Sequence, residues 1–177
     1  MFATAKAIQR RDPAAHSLLE VLLTYSGLHA LSWHRLSHWL YQQHFYLVAS
    51  LSAHLAKKVT GIEIHPGAQI GQQLFIDHGA GVVIGETAIV GDNVTILHGV
   101  TLGSRHATKG RRHPKVGNNV LIGAYAQILG PITIHDNAKI GAGAVVLTNV
   151  AAGHTAVGVP AQPQPQRSTK IVQLAQN

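Results

Sequence analysis

The chain contains no cysteine among its 177 residues. A disulfide framework, a thiolate-bound zinc ion and a thiol nucleophile are therefore excluded. Aromatic residues make up only 5% of the sequence and charged residues only 12%, so few bulky or ionic side chains are available. Disorder is not expected, because 46% of the residues are apolar and they follow regular patterns.

Negative charge is also scarce. Seven Asp and Glu residues stand against 14 Lys and Arg residues, which gives a formal net charge of +7 and favours an anionic partner. No signal peptide is predicted, because Arg10 and Arg11 follow a very short apolar stretch. The longest apolar run, 45–55, is about half a membrane span. We therefore expect a soluble, cytoplasmic protein.

Residues 1–60 have a helical period and predict an N-terminal helical region. Asp12 and Pro13 are typical of a helix start. A second helix is predicted after Gly27, and a third over 45–58. The predicted apolar face of the second helix consists of Leu31, Leu36, Trp39 and Leu40.

From about Ile62 onward, aliphatic residues recur every six positions. They are Ile64, Ile70, Ile76, Ile84, Val90, Ile96, Leu102, Val116, Ile122, Ile128, Ile134, Ile140 and Val146. A fixed period this short predicts a solenoid of short strands and tight turns, with three repeats in each triangular coil and about five coils. An ordinary β-sandwich would not keep so many repeats in phase.

The pattern predicts an α+β, mainly β, protein with three parts. They are a helical region over 1–60, a solenoid over 61–160 and a polar tail over 161–177. Two extra residues interrupt the repeat near Gly81, and a longer insertion over 103–115 predicts a protruding loop.

Two carboxylates lie close to histidines and are not explained as turn residues. Glu63 precedes His65, and Asp77 precedes His78 directly before the break in phase. An imidazole that titrates near neutrality suits a general base, and a carboxylate partner would fix its tautomer. The alternative is a turn histidine bonded to the backbone. Without cysteine, an acyl transfer here would be a direct attack by the acceptor.

The insertion 103–115 carries five of the 14 Lys and Arg residues. It is either a solvated basic loop or an arm that binds phosphate or carboxylate through arginine. Nucleic acid fits less well, because no aromatic residues alternate with the cations. His34 and His38 have the spacing of metal ligands on one helix face. No third ligand is evident nearby, so a role in packing or in an interface is expected instead.

Several motifs resemble those of the serine O-acetyltransferases, a family of hexapeptide-repeat acyltransferases, from about Arg10 to Ala161. The motifs are Arg11–Ala14, Thr60–Ala68, Phe75–Gly79, Gly81–Thr87, Gly99–Gly103, Arg112–Pro114 and Gly158–Ala161. The resemblance implies a left-handed parallel β-helix and a homotrimer, or a dimer of trimers, with active sites between subunits. It also implies acetyl transfer from acetyl-CoA to L-serine, giving O-acetyl-L-serine for cysteine biosynthesis.

The same resemblance implies roles for individual residues. His78 matches the general base, and Glu63 matches the carboxylate that orients it. Asp12 and Asp77 match the acids that hold the serine amino group. No metal, nucleic-acid or membrane partner is implied.

Arg112, with His113 beside it, matches the residue that would bind the serine carboxylate. The positions that match the family's CoA-binding residues are Ser104, Ala124, Ala126, Lys139 and Ala142. Ser104 stands where Gly is usual, and Tyr125 where Gly or another small residue is usual; both are near the expected CoA path.

Other functions remain open from the sequence. The acceptor could be homoserine or a sugar, or the chain could be a non-catalytic trimeric scaffold. His78, His98 and His113 are a conceivable zinc trio, similar to that of the hexapeptide-repeat carbonic anhydrases. Family members that bind O-acetylserine sulfhydrylase end in Ile, whereas the last residue here is Asn177, so this complex is not expected.

Overall fold

The computed structural model describes residues 1–165, in which four helices precede fifteen short strands. The helices are α1 (Phe2–Arg11), α2 (Leu18–Thr24), α3 (Ser26–Gln42) and α4 (Tyr46–Thr60). The strands are β1 (Glu63–Ile64), β2 (Gln69–Ile70), β3 (Phe75–Ile76), β4 (Val83–Ile84), β5 (Ile89–Val90), β6 (Thr95–Ile96), β7 (Thr101–Gly103), β8 (Lys115–Val116), β9 (Leu121–Ile122), β10 (Gln127–Leu129), β11 (Thr133–Ile134), β12 (Lys139–Ile140), β13 (Val145–Val146), β14 (His154–Val157) and β15 (Gln162–Pro165).

Successive strands fall on three different sheets, so three strands complete one coil of a triangular prism. Sheet A contains β1, β4, β7, β10 and β13; sheet B contains β2, β5, β8 and β11; sheet C contains β3, β6, β9, β12, β14 and β15. Neighbouring strands are parallel except β14 and β15, which are antiparallel. The predicted left-handed β-helix of about five coils is confirmed.

The hexad residues fill the prism, as the period of six predicts. Ile122, Ile128 and Ile134 are completely buried, and so are the small residues Ala126 and Ala138 that share the interior. Each buried isoleucine contributes roughly 2–3 kcal/mol of apolar burial. Because every coil repeats this arrangement, the core is continuous from the first coil to the last.

The prediction that a helix begins at Asp12 and Pro13 is wrong. Asp12 caps the C-terminus of α1, and its backbone N–H donates to the carbonyl oxygen of Ile8. Helix α2 begins six residues later, at a capping box formed by Ser17 and Glu20. The Asp12 carboxylate is used elsewhere, because it accepts hydrogen bonds from the backbone N–H of Ala14 and from a distant tyrosine.

The predicted apolar face of α3 is only partly buried. Leu31 is 3% exposed, but Leu36 is 52% and Trp39 is 55% exposed. His34 and Ser37 are buried instead, because the packed side of α3 is rotated toward them. The third predicted helix is confirmed as α4.

Strand β15 lies within the segment predicted as a polar tail, and it extends sheet C. The remainder of that segment, 166–177, and the chain end that bears on the sulfhydrylase prediction lie outside the described residues. Within 1–165, no helix is long and apolar enough to cross a membrane.

Candidate active site

A cleft of about 310 Å³ opens where the helices meet the first coil. Three of the predicted site residues, Asp12, Asp77 and His78, line it together. Tyr25, at the junction of α2 and α3, lines it as well. The chain places these groups side by side because the C-terminus of α1 and the end of β3 meet at this point.

Asp12 is held in place and kept ionised by its hydrogen bonds. The Tyr25 hydroxyl donates to its Oδ2 at 2.6 Å, and the Ala14 N–H donates to its Oδ1 at 2.8 Å. Both hydrogen bonds lower the pKa of Asp12, and the bond from Tyr25 has the larger effect. Burial, together with the bond to Asp12, raises the pKa of Tyr25 to about 12. The pair therefore presents a fixed negative charge to the cleft.

His78 lies on the prism edge where sheet C turns into sheet A, which we call the C–A edge. Its backbone is left-handed, with φ of +58°, and its side chain is 76% exposed. The next residue must be glycine, because a Cβ on Gly79 would lie 2.4 Å from the Ile62 side chain. His78 Nε2 lies 3.9 Å from Asp77 Oδ1. The two extra residues near Gly81 belong to this corner, which therefore projects the imidazole outward.

Glu63 is not joined to His78 within the described chain. Its carboxylate lies 2.6 Å from Lys57 Nζ at the end of α4. It lines a separate cleft of about 220 Å³, together with His54 and His65. The orienting role predicted for Glu63 therefore stays a prediction.

Arg112 and His113 lie on a different edge, where sheet A turns into sheet B, which we call the A–B edge. Arg112 forms an ion pair with Glu86, which also accepts a hydrogen bond of 2.9 Å from the Tyr41 hydroxyl. Both contacts lower the pKa of Glu86, and the bond from Arg112 has the larger effect. The ion pair links loop 103–115 to the β-helix, and Tyr41 links both to α3.

His113 is buried, with 7% of its surface exposed. Its Nδ1 accepts a hydrogen bond of 3.1 Å from the backbone N–H of Thr87. Its ring covers Gly85 so closely that a Cβ there would lie 2.1 Å from it. Burial first, and then the charge of Arg112, lowers the pKa of His113. The enclosed imidazole anchors the loop, and its predicted substrate contact stays a prediction.

The predicted CoA-binding residues lie in several places, and three of them are on the same two edges. Ala124 and Ala142 occupy the position on the C–A edge that His78 occupies in the first coil. Lys139 is exposed on sheet C beside them, whereas the Ala126 side chain points into the prism. Ser104 begins the loop on the A–B edge, and its hydroxyl donates to the carbonyl oxygen of His106.

Sequence reasoning missed two polar partners of the site, Tyr25 and Glu86. Glu86 could have been considered, because it is one of only seven acidic residues, although it lies in the turn between β4 and β5. Tyr25 carried no signal, since its contact with Asp12 depends on how α1 and α2 pack. Within 1–165, no group of three or more His, Asp or Glu residues could hold a metal ion, and His78, His98 and His113 form no such group.

A β-helix of hexapeptide repeats with an exposed histidine–carboxylate pair on one edge defines the class of hexapeptide-repeat transferases. The family model "Bacterial transferase hexapeptide (six repeats)" matches residues 113–148. A serine acetyltransferase of Helicobacter pylori is 56% identical over 155 residues, which cover 88% of this chain and 91% of that protein. One of Synechococcus elongatus is 55% identical over 164 residues, which cover 90% of this chain and 67% of that protein. The chain belongs to the serine acetyltransferase family.

Solved structures agree with this assignment. Serine acetyltransferase of Neisseria gonorrhoeae superposes with a TM-score of 0.89 at 48% identity, over 92% of this chain and 65% of that one. The Brucella abortus enzyme in complex with coenzyme A gives a TM-score of 0.90 at 44% identity, over 94% and 66%. The soybean enzyme complexed with serine gives 0.89 at 47% identity, over 92% and 67%. The chain thus spans about two thirds of the length of these structures.

Proposed function

We propose that the protein transfers the acetyl group of acetyl-CoA to the hydroxyl of L-serine, giving O-acetyl-L-serine for cysteine biosynthesis. The observation that carries this proposal is the shared cleft of Asp12, Asp77 and His78 in a chain of this family. The related structures bound to serine and to coenzyme A support the choice of both substrates. A zwitterionic amino acid fits a cleft that combines carboxylates with a base.

The two aspartates bind the ammonium group of serine. Asp12 is ionised because its hydrogen bonds stabilise the carboxylate, and Asp77 lies across the same cleft. When both carboxylates bind the ammonium group, the neighbouring serine hydroxyl faces His78. This arrangement selects an acceptor with an amino group close to its hydroxyl.

His78 acts as the general base. It removes the proton from the serine Oγ as this oxygen attacks the thioester carbonyl carbon. The C–O bond forms, the C–S bond breaks, and the proton passes from the imidazole to the leaving thiolate of CoA. An imidazole that is 76% exposed can reach both groups.

Glu63 orients His78 in this proposal, although its carboxylate contacts Lys57 in the single chain. The two side chains of that pair are 53% and 46% exposed. A surface ion pair of this kind is worth under about 1 kcal/mol, so Glu63 can exchange its partner at little cost.

The serine carboxylate is bound by Arg112, with His113 beside it, from a neighbouring subunit. Arg112 and His78 lie on different edges of one prism, and the cleft around His78 includes no residue of loop 103–115. A second copy that brings its A–B edge to this C–A edge completes the site. The pantetheine arm then runs down the C–A edge past Ala124 and Ala142 toward Lys139, while Ser104 and Ala126 flank the path.

Assembly as a homotrimer is supported by an apolar stripe on α4. We call Leu47, Leu51, Leu55 and Val59 the α4 stripe; their exposed fractions are 73%, 60%, 48% and 66%. Four large apolar residues at helical spacing are rarely left in water, so another copy of the chain covers them.

Serine-dependent release of CoA tests the reaction. Acetyl-CoA is supplied with L-serine, L-homoserine, a sugar or no acceptor, and free thiol is measured. Release that depends on L-serine is expected. Release with the sugar alone would overturn the roles of Asp12 and Asp77, and release with L-homoserine alone would overturn serine as the acceptor. No release at all would favour a non-catalytic scaffold.

His78→Ala is expected to lower kcat by at least about a hundredfold, the scale of a lost general base. The matched control is His135→Ala, an exposed histidine on the edge between sheets B and C. Normal turnover in the His78 variant would remove this residue from the mechanism. Arg112→Ala is expected to raise the KM for serine more than it lowers kcat, and an unchanged KM would remove Arg112 from the site.

Sedimentation tests the assembly. Leu51→Lys places a charge in the α4 stripe and is expected to shift the protein from the trimer toward single chains. Leu51→Met keeps the stripe apolar and should remain trimeric. A trimer that tolerates lysine at this position would show that the stripe lies outside the interface.

A further inference from the structure

One position of the C–A edge departs from a regular column of glycines. On the C–A edge, the residue directly before the buried residue that leads into sheet A has a left-handed backbone in every coil. These residues are Gly61 (φ +72°), Gly81 (+73°), Gly99 (+69°), Tyr125 (+59°) and Gly143 (+66°). Left-handed backbone disfavours any side chain with a Cβ, and a bulky aromatic residue most of all. A tyrosine kept in a glycine position indicates that its side chain makes a contact that offsets the strain.

The Tyr125 ring extends back along the edge toward His78. It covers Gly99, where a Cβ would lie 2.3 Å from it. Its ring lies edge-to-face against His98, with centroids 5.0 Å apart and an angle of 88° between the planes. His98 lies in turn edge-to-face against His78, with centroids 6.0 Å apart and an angle of 86°. Each ring is perpendicular to the next. The three rings form a continuous row of edge-to-face contacts, which we call the ring stack, and it ends at His78, the proposed base.

His98 depends on these ring contacts for its orientation. Its Nδ1 is buried and has no hydrogen-bond partner, and no hydrogen bond is made by its side chain within residues 1–165. The carboxylates around His78 act from other sides. Asp77 lies 3.9 Å from it on the same corner, and Asp12 interacts with it across the cleft. In the described part of the chain, neither carboxylate forms a hydrogen bond or an ion pair with His98.

We propose that Tyr125 is a positioning residue, which holds the His98 ring against His78 and thereby fixes the plane of the base. The inference rests on the proposed role of His78 in acetyl transfer. Edge-to-face contacts define an angle as well as a distance, so the stack restricts rotation of an otherwise exposed imidazole. Without Tyr125, His98 can turn, and His78 samples orientations that do not face the serine hydroxyl.

The test is Tyr125→Gly, which restores the residue type of the other four coils and suits the left-handed backbone. We expect kcat to fall about fivefold, the scale of one lost aromatic contact, while the KM for acetyl-CoA changes less than twofold. Tyr125→Phe keeps the ring and is expected to restore kcat to within twofold of the starting protein. Asn119→Gly is the matched control, because it is the same kind of substitution at a left-handed residue on another edge.

A double-mutant cycle separates this role from a purely structural one. If Tyr125 acts through His98, Tyr125→Gly has little further effect on kcat in a His98→Gln background. The inference is overturned by an unchanged kcat in a folded Tyr125→Gly protein, by a changed KM for acetyl-CoA at constant kcat, or by additive effects in the cycle. Serine-dependent CoA release by the unmutated protein tests the proposed function separately; its absence would overturn both.

Discussion

The β-helix and the helical region bury their apolar side chains to different extents. In the β-helix, interior residues such as Ile128 and Val146 have at most 1% of their surface exposed, because each coil covers the next. In the helical region, Leu47 is 73% and Leu23 is 66% exposed, although both lie on regular helices. The first part buries its apolar residues within one chain, whereas the second leaves large apolar side chains exposed.

This difference shows that regular secondary structure and completed packing are separate properties. A coil of the solenoid repeats the same contacts, so its neighbours are fixed by sequence spacing. A helix has several faces, and which face is covered depends on partners that its own periodicity does not specify. The free energy of unfolding distinguishes the two kinds of packing.

The largest effect is expected from Ile128→Ala in the centre of the solenoid. Ile128 is completely buried on β10, so the substitution leaves a cavity and should cost about 3 kcal/mol. The control is Leu121→Ala, because Leu121 is 41% exposed and should cost less than about 1 kcal/mol. Urea unfolding at equal chain concentration measures both. Equal losses would mean that the interior of the prism is not specifically packed.

The second effect concerns the junction between the two regions. His34 on α3 is 5% exposed, and burial first, then the nearby His38, lowers its pKa to about 4. The backbone of Ala68 opposes this shift, and Arg35 and His65 add to it. In the unfolded chain its pKa is about 6.5, so the unfolded state binds an extra proton between these two values.

His34 therefore weakens the fold as the pH falls from about 6.5 toward 4, and has no effect of this kind above that range. Between pH 7 and 5 the loss should be about 2 kcal/mol. His34→Gln, which cannot become charged, should be less sensitive to pH over the same interval. Parallel pH profiles of unfolding for the two proteins would contradict the assigned direction of the shift.

A smaller effect is expected at the start of α2. The Ser17 hydroxyl accepts a hydrogen bond of 3.1 Å from the Glu20 N–H, so Ser17→Ala should cost about 1 kcal/mol. Ser17→Thr keeps an acceptor and should stay close to the original stability. If alanine were neutral here, packing on the cluster around Val21 would determine where the helix starts, rather than its cap.

The smallest effect is expected where α4 meets the first strand. Lys57 and Glu63 form an exposed ion pair, so Lys57→Ala should change stability by less than about 0.5 kcal/mol. A double-mutant cycle with Glu63→Gln gives the coupling free energy of the pair. A coupling well above about 1 kcal/mol would show that this contact holds the helical region onto the β-helix.

The fold of the β-helix was predictable because its determinants are local. The period of six, the small residues that share the prism interior and the turn residues all indicate the same strand–turn unit. The hand of the helix came from the family resemblance, because a period carries no hand. In the helical region Asp12 was misinterpreted, since Asp followed by Pro is equally compatible with an exit from one helix. The Ser17–Glu20 capping box was the more reliable local signal.

The candidate site was predictable only in part. His78 and Asp77 stand out because they flank the break in phase, and Asp12 follows from the resemblance. Their convergence depends on how α1 packs against the first coil, which no sequence pattern states. The position of Arg112 on another edge, and its pairing with Glu86, depend on the path of loop 103–115. The ring stack from Tyr125 to His78 depends on which residues of successive coils lie above one another on the C–A edge.

The coils that follow loop 103–115 are built on one repeat length. Paired positions there, such as Leu121 and Lys139 or Gln127 and Val145, are 18 residues apart. Removing the 18 residues from 123 to 140 would shorten the C–A edge by one strand spacing, about 4.8 Å, and would also remove Tyr125, whose ring packs against His98. On the proposed CoA path, the number of coils would set how far the donor can extend along the C–A edge from His78.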